Sequence, residues 1–185
     1  MPRILLHSCC APCTIIPLQK LREADWTVHG LFYNPNIQPY QEFARRLDAY
    51  TAFAELRQLA VIIRADYELE AFLRQAAFRE SQRCLYCYST RLEAAARLAH
   101  KSRFDAFTTT LLYSKRQKHE LVKTLAEQAA KKFGVPFYYQ DFRPDWQEGQ
   151  EQARRLEIYR QQYCGCIYSE KERFCPRQTR SGKIE

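Results

Sequence analysis

Glycine is scarce in this chain, with five in 185 residues, which starves any glycine-rich loop built to cradle a nucleotide. Neither G-x-G-x-x-G nor a Walker pattern occurs, so a dinucleotide fingerprint and a P-loop NTPase are both excluded. A serine–glycine-rich pyrophosphatase loop is missing too, its place after the first predicted strand being taken by Ser8-Cys9-Cys10-Ala11-Pro12-Cys13. ATP-driven activation is therefore not expected. No apolar run approaches the roughly 18 residues that span a bilayer, and the start MPRILLHSCC has too short an apolar stretch for a secretory signal. A cytoplasmic protein with no membrane partner is the expectation.

Cysteine is what the chain has in plenty. There are eight, and in a reducing compartment clustered thiols indicate metal binding or catalysis rather than a disulfide frame. With 46% apolar and 27% charged residues, the length suits one domain with a sizeable core, taken as residues 1–174 followed by a polar, basic tail over 175–185. The formal charge of +8 suits a polyanionic partner such as nucleic acid without defining a site.

Along the chain, β-forming runs alternate with helical ones. Strands are predicted at 3–7, 27–33, 61–64, 106–110 and 135–139, and helices at 14–23, 39–59, 68–77, 91–100, 118–133 and 148–163. This alternation calls for a parallel sheet with right-handed crossovers, a three-layer, Rossmann-like α/β arrangement with helices on both faces.

Seven cysteines fall in three short groups: Cys9, Cys10 and Cys13; Cys84 and Cys87; Cys164 and Cys166. Cys175 stands apart. The first group follows a strand at its C-terminal end, where open α/β sheets place their ligand crevices, and the others sit at predicted loop–helix junctions. Cys84-x-x-Cys87 and Cys164-Gly165-Cys166 each bring two thiolates to one metal or cluster, and together they make one four-sulfur site. Cys9, Cys10 and Cys13 then exceed what a single structural zinc needs, and neighbours such as Cys9 and Cys10 serve two adjacent centres more easily than one. Buried cysteines acting as small hydrophobes, or one zinc with spare thiols, are the plainer alternatives.

Other segments carry weaker signals. Thr108–His119 gathers hydroxyl and cationic side chains around a helix start and could bind phosphate. From Lys115 to Lys132 there are six basic and two acidic residues, the best candidate for an RNA-facing surface. Tyr138, Tyr139, Phe142 and Trp146 could stack on bases or simply pack the core. Asp141 is a candidate metal ligand or general acid, or else a turn cap paired with Arg143. His7, ending the first strand, reads as a hydrogen-bonded core residue.

The motifs His7-Ser8-Cys9-Cys10-Ala11-Pro12-Cys13, Tyr33-Asn34-Pro35-Asn36-Ile37, Cys84-x-x-Cys87, Thr109-Thr110-Leu111-Leu112, Gln117-Lys118-His119, Asp141-Phe142-Arg143-Pro144 and Tyr163-Cys164-Gly165-Cys166, in this order, resemble the QueH-type epoxyqueuosine reductases. The likeness runs from Ile4 to about Arg173. It implies a HUP-like α/β fold and reduction of the epoxide of epoxyqueuosine, at the tRNA wobble position, to queuosine. A four-iron, four-sulfur cluster with an adjacent mononuclear iron is implied, without cobalamin. On the shared motifs, Cys9, Cys10, Cys84, Cys87, Cys164 and Cys166 are the expected metal ligands. Asp141 and Cys13 are the expected catalytic residues, and Asn34, Tyr113, Lys118, His119 and Arg143 the substrate or tRNA contacts. The partners implied are tRNA carrying epoxyqueuosine in its anticodon and a reduced electron-donor protein. Two other classes compete: a non-redox tRNA-binding module with a structural zinc, and a thiol-based tRNA sulfur-transfer enzyme using Cys13 or Cys175.

Overall fold

A computed structural model describes residues 1–175; the basic tail anticipated from 175 onwards lies, beyond its first residue, outside them. Four parallel strands, β1 (Arg3–Ser8), β2 (Thr27–Tyr33), β3 (Ala60–Arg64) and β4 (Ala106–Thr109), stand in the order β3-β2-β1-β4. The register sets His7 opposite Leu31 on one side and Thr109 on the other. Alternation along β1 separates two cores. Ile4 and Leu6 pack with Ile15, Leu18 and Leu21 of α1 (Ala11–Glu23) and Phe53 of α2 (Tyr40–Leu56). Leu5 packs with Leu92 and Ala96 of α4 (Arg83–Lys101) and Val122 and Ala126 of α5 (His119–Phe133). Helices on both faces of a parallel sheet give the three layers expected of the sequence.

Three further helices, α3 (Leu69–Ala76), α6 (Trp146–Arg155) and α7 (Ile167–Phe174), complete the described α-helices. The strand predicted at 135–139 shrinks to one bridge, Phe107 with Phe137. Pro136 explains it: its carbonyl accepts from Phe107 N–H, but proline has no N–H to continue the ladder. The helix predicted over 148–163 stops at Arg155, and residues 156–166 become the loop that carries Cys164 and Cys166. Cys10 is the N-cap of α1, so Cys13 lies in that helix's first turn rather than in a loop. Cys84 and Cys87 likewise open α4, eight residues before the predicted start.

Helix ends show how the chain manages with so little glycine. At Asp25, Gln58, Arg103 and Glu157 the backbone turns left-handed, with φ of 60°, 49°, 54° and 52°. In each case the next N–H reaches back five residues, as from Ile158 to Ala153 and from Phe104 to Ala99. This is the closure that usually employs glycine. The non-glycine residue at 157 is why the end of α6 was not visible in the sequence.

Candidate metal centre

The strand order reverses between β1 and β4, and the C-terminal ends of these two strands open onto the site. Cys9 follows β1; its N–H donates to Thr110 Oγ1 at 3.0 Å, and that hydroxyl lies 3.3 Å from Cys9 Sγ. The sulfurs of Cys9, Cys10 and Cys13 all lie within 4.8 Å of one another, and all three residues are buried. Gln161 Nε2 reaches Cys10 Sγ at 2.9 Å and Cys13 Sγ at 3.7 Å.

Crowding splits the three acidities. Hydrogen bonds from Cys10 and Cys13, helped by Thr110 and the charge of Arg91, hold the Cys9 thiol well below its usual value against the effect of burial. Burial pushes Cys10 up, and Cys13 is raised chiefly by its two neighbours. Three thiols this close shed one proton readily and the rest only against a positive charge. A thiophilic metal supplies that charge, so the donor set fits one.

Cys84, Cys164 and Cys166 all act on Cys87 from nearby, a second group, looser than the first. Burial pushes the Cys87 thiol up to about 12, with the charges of Cys164, Cys166 and Cys84 adding to the rise. Cys166 is buried among Phe72, Ala76, Tyr86 and Cys87, and Gln117 Nε2 donates to Cys164 Sγ at 3.3 Å. A cavity of about 90 Å³ joins the two groups, with Cys9, Cys13 and Cys164 in its wall beside Gln117, Gln161 and Trp146. Among the described residues, the three-thiol group whose ligand atoms lie within 4.8 Å of one another is Cys9, Cys10 and Cys13, and Cys164 faces the same cavity.

Two buried guanidinium groups, which sequence reasoning missed, serve this arrangement. Arg91 is 2% exposed; its Nη2 lies 3.0 Å from Cys87 Sγ and its Nε donates to Cys87 carbonyl at 3.1 Å. No carboxylate pairs with it among the described residues. Its positive charge instead acts on Cys87, Cys164 and Cys9. A buried cation without a carboxylate needs an anion nearby, and of these sulfurs Cys9, whose thiol is held low, supplies it. The i, i+4 spacing of Cys87 and Arg91 on one helix was the available signal.

Arg46 is 1% exposed and pairs with Glu42 on the same helix at 2.7 Å. It donates to the carbonyls of Cys164 and Tyr163 at 2.8 and 2.9 Å. The cysteine loop is thereby moored to α2. At its centre Gly165 adopts φ 151°, and a Cβ there would press on Asn36 at 3.0 Å.

The remaining predicted site residues divide. Asn34 is buried beneath the first group, its Nδ2 donating to Ser8 carbonyl at 3.0 Å and its Oδ1 3.5 Å from Arg91. Tyr113 is fully buried, donates to Trp146 carbonyl at 3.1 Å and stacks on its ring. Lys118 caps α5, with its N–H donating to Tyr88. His119 Nε2 lies 3.2 Å from Tyr139 hydroxyl, while Nδ1 has no partner among the described residues. Asp141 is gripped by Arg143 through Nε at 2.8 Å, Nη2 at 2.7 Å and the backbone N–H at 3.0 Å. Those bonds hold its carboxyl down at about 2. Asp141 is not in the cavity wall formed by the described residues. His7 bonds Thr109 and Tyr33 and is kept neutral by burial, its pKa lowered to about 4, as the core reading required.

A parallel α/β sheet with three buried thiols at its switch point defines a class of protein able to hold a thiophilic metal there. Similarity carries this further. Residues 4–172 match the family model described as epoxyqueuosine reductase QueH. The chain is 35% identical over 173 residues to the epoxyqueuosine reductase QueH of Dehalococcoides mccartyi, covering 94% of this chain and 95% of that one. It is also 35% identical over 183 residues to the Thermotoga maritima protein of the same name, covering 94% and 93%. The chain belongs to the epoxyqueuosine reductase QueH family and is an oxidoreductase. In fold alone it resembles a predicted subunit of a tRNA methyltransferase from Methanocaldococcus jannaschii, with a TM-score of 0.55 at 12% identity over 82% of this chain and 74% of that one. No helix among the described residues is long and apolar enough to cross a membrane.

Proposed function

We propose that this chain reduces epoxyqueuosine at the wobble position of tRNA to queuosine, in the cytoplasm, without cobalamin and with electrons from a reduced donor protein. The carrying observation is the buried trio of sulfurs within 4.8 Å that shares a cavity with Cys164 of the second group. The reaction takes two electrons and two protons, breaks both epoxide C–O bonds, forms a C=C bond and releases water. Bound to these thiols, a four-iron, four-sulfur cluster would supply single electrons and an adjacent iron a Lewis-acid position for oxygen.

The chain's own residues do the rest. Cys84, Cys87, Cys164 and Cys166 form one sulfur set and Cys9, Cys10 and Cys13 the other. Gln117 and Gln161 donate N–H to sulfur, which eases the addition of negative charge, and Arg91 offsets the charge of both sets. A base turned out of the anticodon stack comes to the mouth of the cavity beside Trp146 and Tyr163, and Arg116 and Arg160 in the same wall meet its phosphates. Lys118, His119 and Arg143 extend that contact towards the anticodon stem. Asn34 and Tyr113 brace the cavity from beneath. With its carboxyl held at about 2 and both oxygens taken by Arg143, Asp141 has no proton to give at neutral pH and serves as an oxygen ligand only if Arg143 releases it.

Anaerobic reconstitution with iron and sulfide, followed by nucleoside analysis of epoxyqueuosine-containing tRNA, tests the proposal. Queuosine should replace epoxyqueuosine. Unchanged epoxyqueuosine with loaded, reduced protein would sink it, and a colourless chain holding one zinc would favour a binding module. Asp141→Asn with full activity and intact metal content would remove Asp141 from the site.

A further inference from the structure

Of the five non-glycine residues with left-handed backbone, four close helices as described above. Phe78, at φ 59°, does not. Arg79 N–H donates to Ala76 carbonyl at 2.9 Å, and Ala77 sits at φ −57°, ψ 133°. Residues 76–79 therefore make a type II turn, with phenylalanine in the position that ordinarily demands glycine. The Phe78 N–H is taken by Glu80 Oε1 at 3.1 Å. Its ring is 100% exposed, so no packing offsets the strain or the exposure. Strain of this kind persists where it is used.

The turn's location narrows the use. Helix α3 buries Phe72 and Ala76 against Cys166, with Cys87 and Tyr86 packed on the same cluster, so Phe78 stands two residues from the covering of the second cysteine group. Arg74 and Arg79 flank it, both exposed, and neither is in an ion pair among the described residues. One exposed ring with an exposed arginine on either side of it in sequence, neither in an ion pair among the described residues, suits a stacked base and its phosphates.

We infer that Phe78 is a stacking platform for an unpaired RNA base, with Arg74 and Arg79 on the adjoining phosphates. The inference rests on the tRNA reading proposed above and extends it: Phe78 holds a second unpaired base of the same loop, on the side of the covering of Cys166.

The test measures binding of an anticodon stem-loop RNA to the metal-loaded chain by fluorescence anisotropy, alongside thermal unfolding. Phe78→Gly should weaken binding about tenfold or more and raise the melting temperature, because glycine adopts this φ without strain. Phe78→Tyr should bind as the parent does. Arg79→Ala should lower the slope of log affinity against log salt by about one. Unchanged affinity in Phe78→Gly overturns the inference, as does a fall in both affinity and melting temperature, the mark of a merely structural ring. Unchanged RNA affinity with slower reduction by a small iron–sulfur donor protein overturns it in favour of protein docking. A parent chain that binds no RNA refutes the tRNA reading itself, whereas a binding parent with an indifferent Phe78→Gly refutes this inference alone.

Discussion

Arg46 does two jobs, and substitutions separate them. Arg46→Met strands the Glu42 carboxylate, which is 6% exposed, without its partner at 2.7 Å. Breaking a buried pair from one side costs about 3–5 kcal/mol. In a chain of this length a kilocalorie is worth roughly 2–4 °C, so a cost near 4 kcal/mol lowers the melting temperature by about 8–16 °C. The double variant Glu42→Gln/Arg46→Met removes the stranded charge and leaves Tyr159 an acceptor at position 42, where it now bonds Glu42. Stability should return to within about 2 kcal/mol of the parent, since a buried pair adds little over a neutral replacement. Metal binding should not return. The carbonyls of Tyr163 and Cys164 have lost their donor, and the loop that presents Cys164 and Cys166 is no longer moored to α2. Calorimetry on chelated and reconstituted protein, with iron and sulfide counted per chain, reads both effects. A double variant that loads metal like the parent would refute the mooring role. A single variant that melts within 2 °C of the parent would refute the charge argument.

Other substitutions test other links. Gly149→Ala, which on an exposed helix would add about 1 kcal/mol, should instead destabilise by roughly 1–3 kcal/mol, because the added Cβ meets Tyr113 Oη and Ile16; urea unfolding decides the sign. Gln161→Leu removes the amide that donates to Cys10 and Cys13 and should lower metal affinity about 10–100-fold, read by competition with a chelator. In the metal-free chain His7 binds a proton only near pH 4 when folded, whereas the unfolded chain binds it near the ordinary 6.5. Stability should therefore fall by about 3 kcal/mol as pH drops from 6.5 to 4, and His7→Gln should flatten that slope in thermal melts.

The parts of the site that sequence revealed are those written at short range. Cys84 and Cys87, like Cys164 and Cys166, lie close together in the chain, so their spacing announces them. Arg46 reaches the Cys164 carbonyl across 118 positions, and Gln161 reaches Cys10 across 151; only the fold sets those distances. The same limit governs the elements. Strands β1 to β4 carry dense β-forming runs, whereas Val135–Tyr139 has the composition of a strand but a proline where a ladder bond would fall. The ends of α1 and α4 fell where composition placed them, whereas the end of α6 was overrun because Glu157 occupies a position where glycine would have signalled it.

The strand order has a consequence for biosynthesis. Because the site spans the β1–β4 switch and ends in the loop before α7, its thiols leave the ribosome in widely separated instalments. Cys9, Cys10 and Cys13 emerge first, and Cys164 and Cys166 follow some 150 residues later, an interval of roughly 8–30 s at usual elongation rates. During it the early thiols have neither the amide of Gln161 nor a finished sheet to shield them. A metal that needed both thiol groups would therefore have to wait for Cys164 and Cys166, and Cys9, Cys10 and Cys13 are most open to oxidation during that interval.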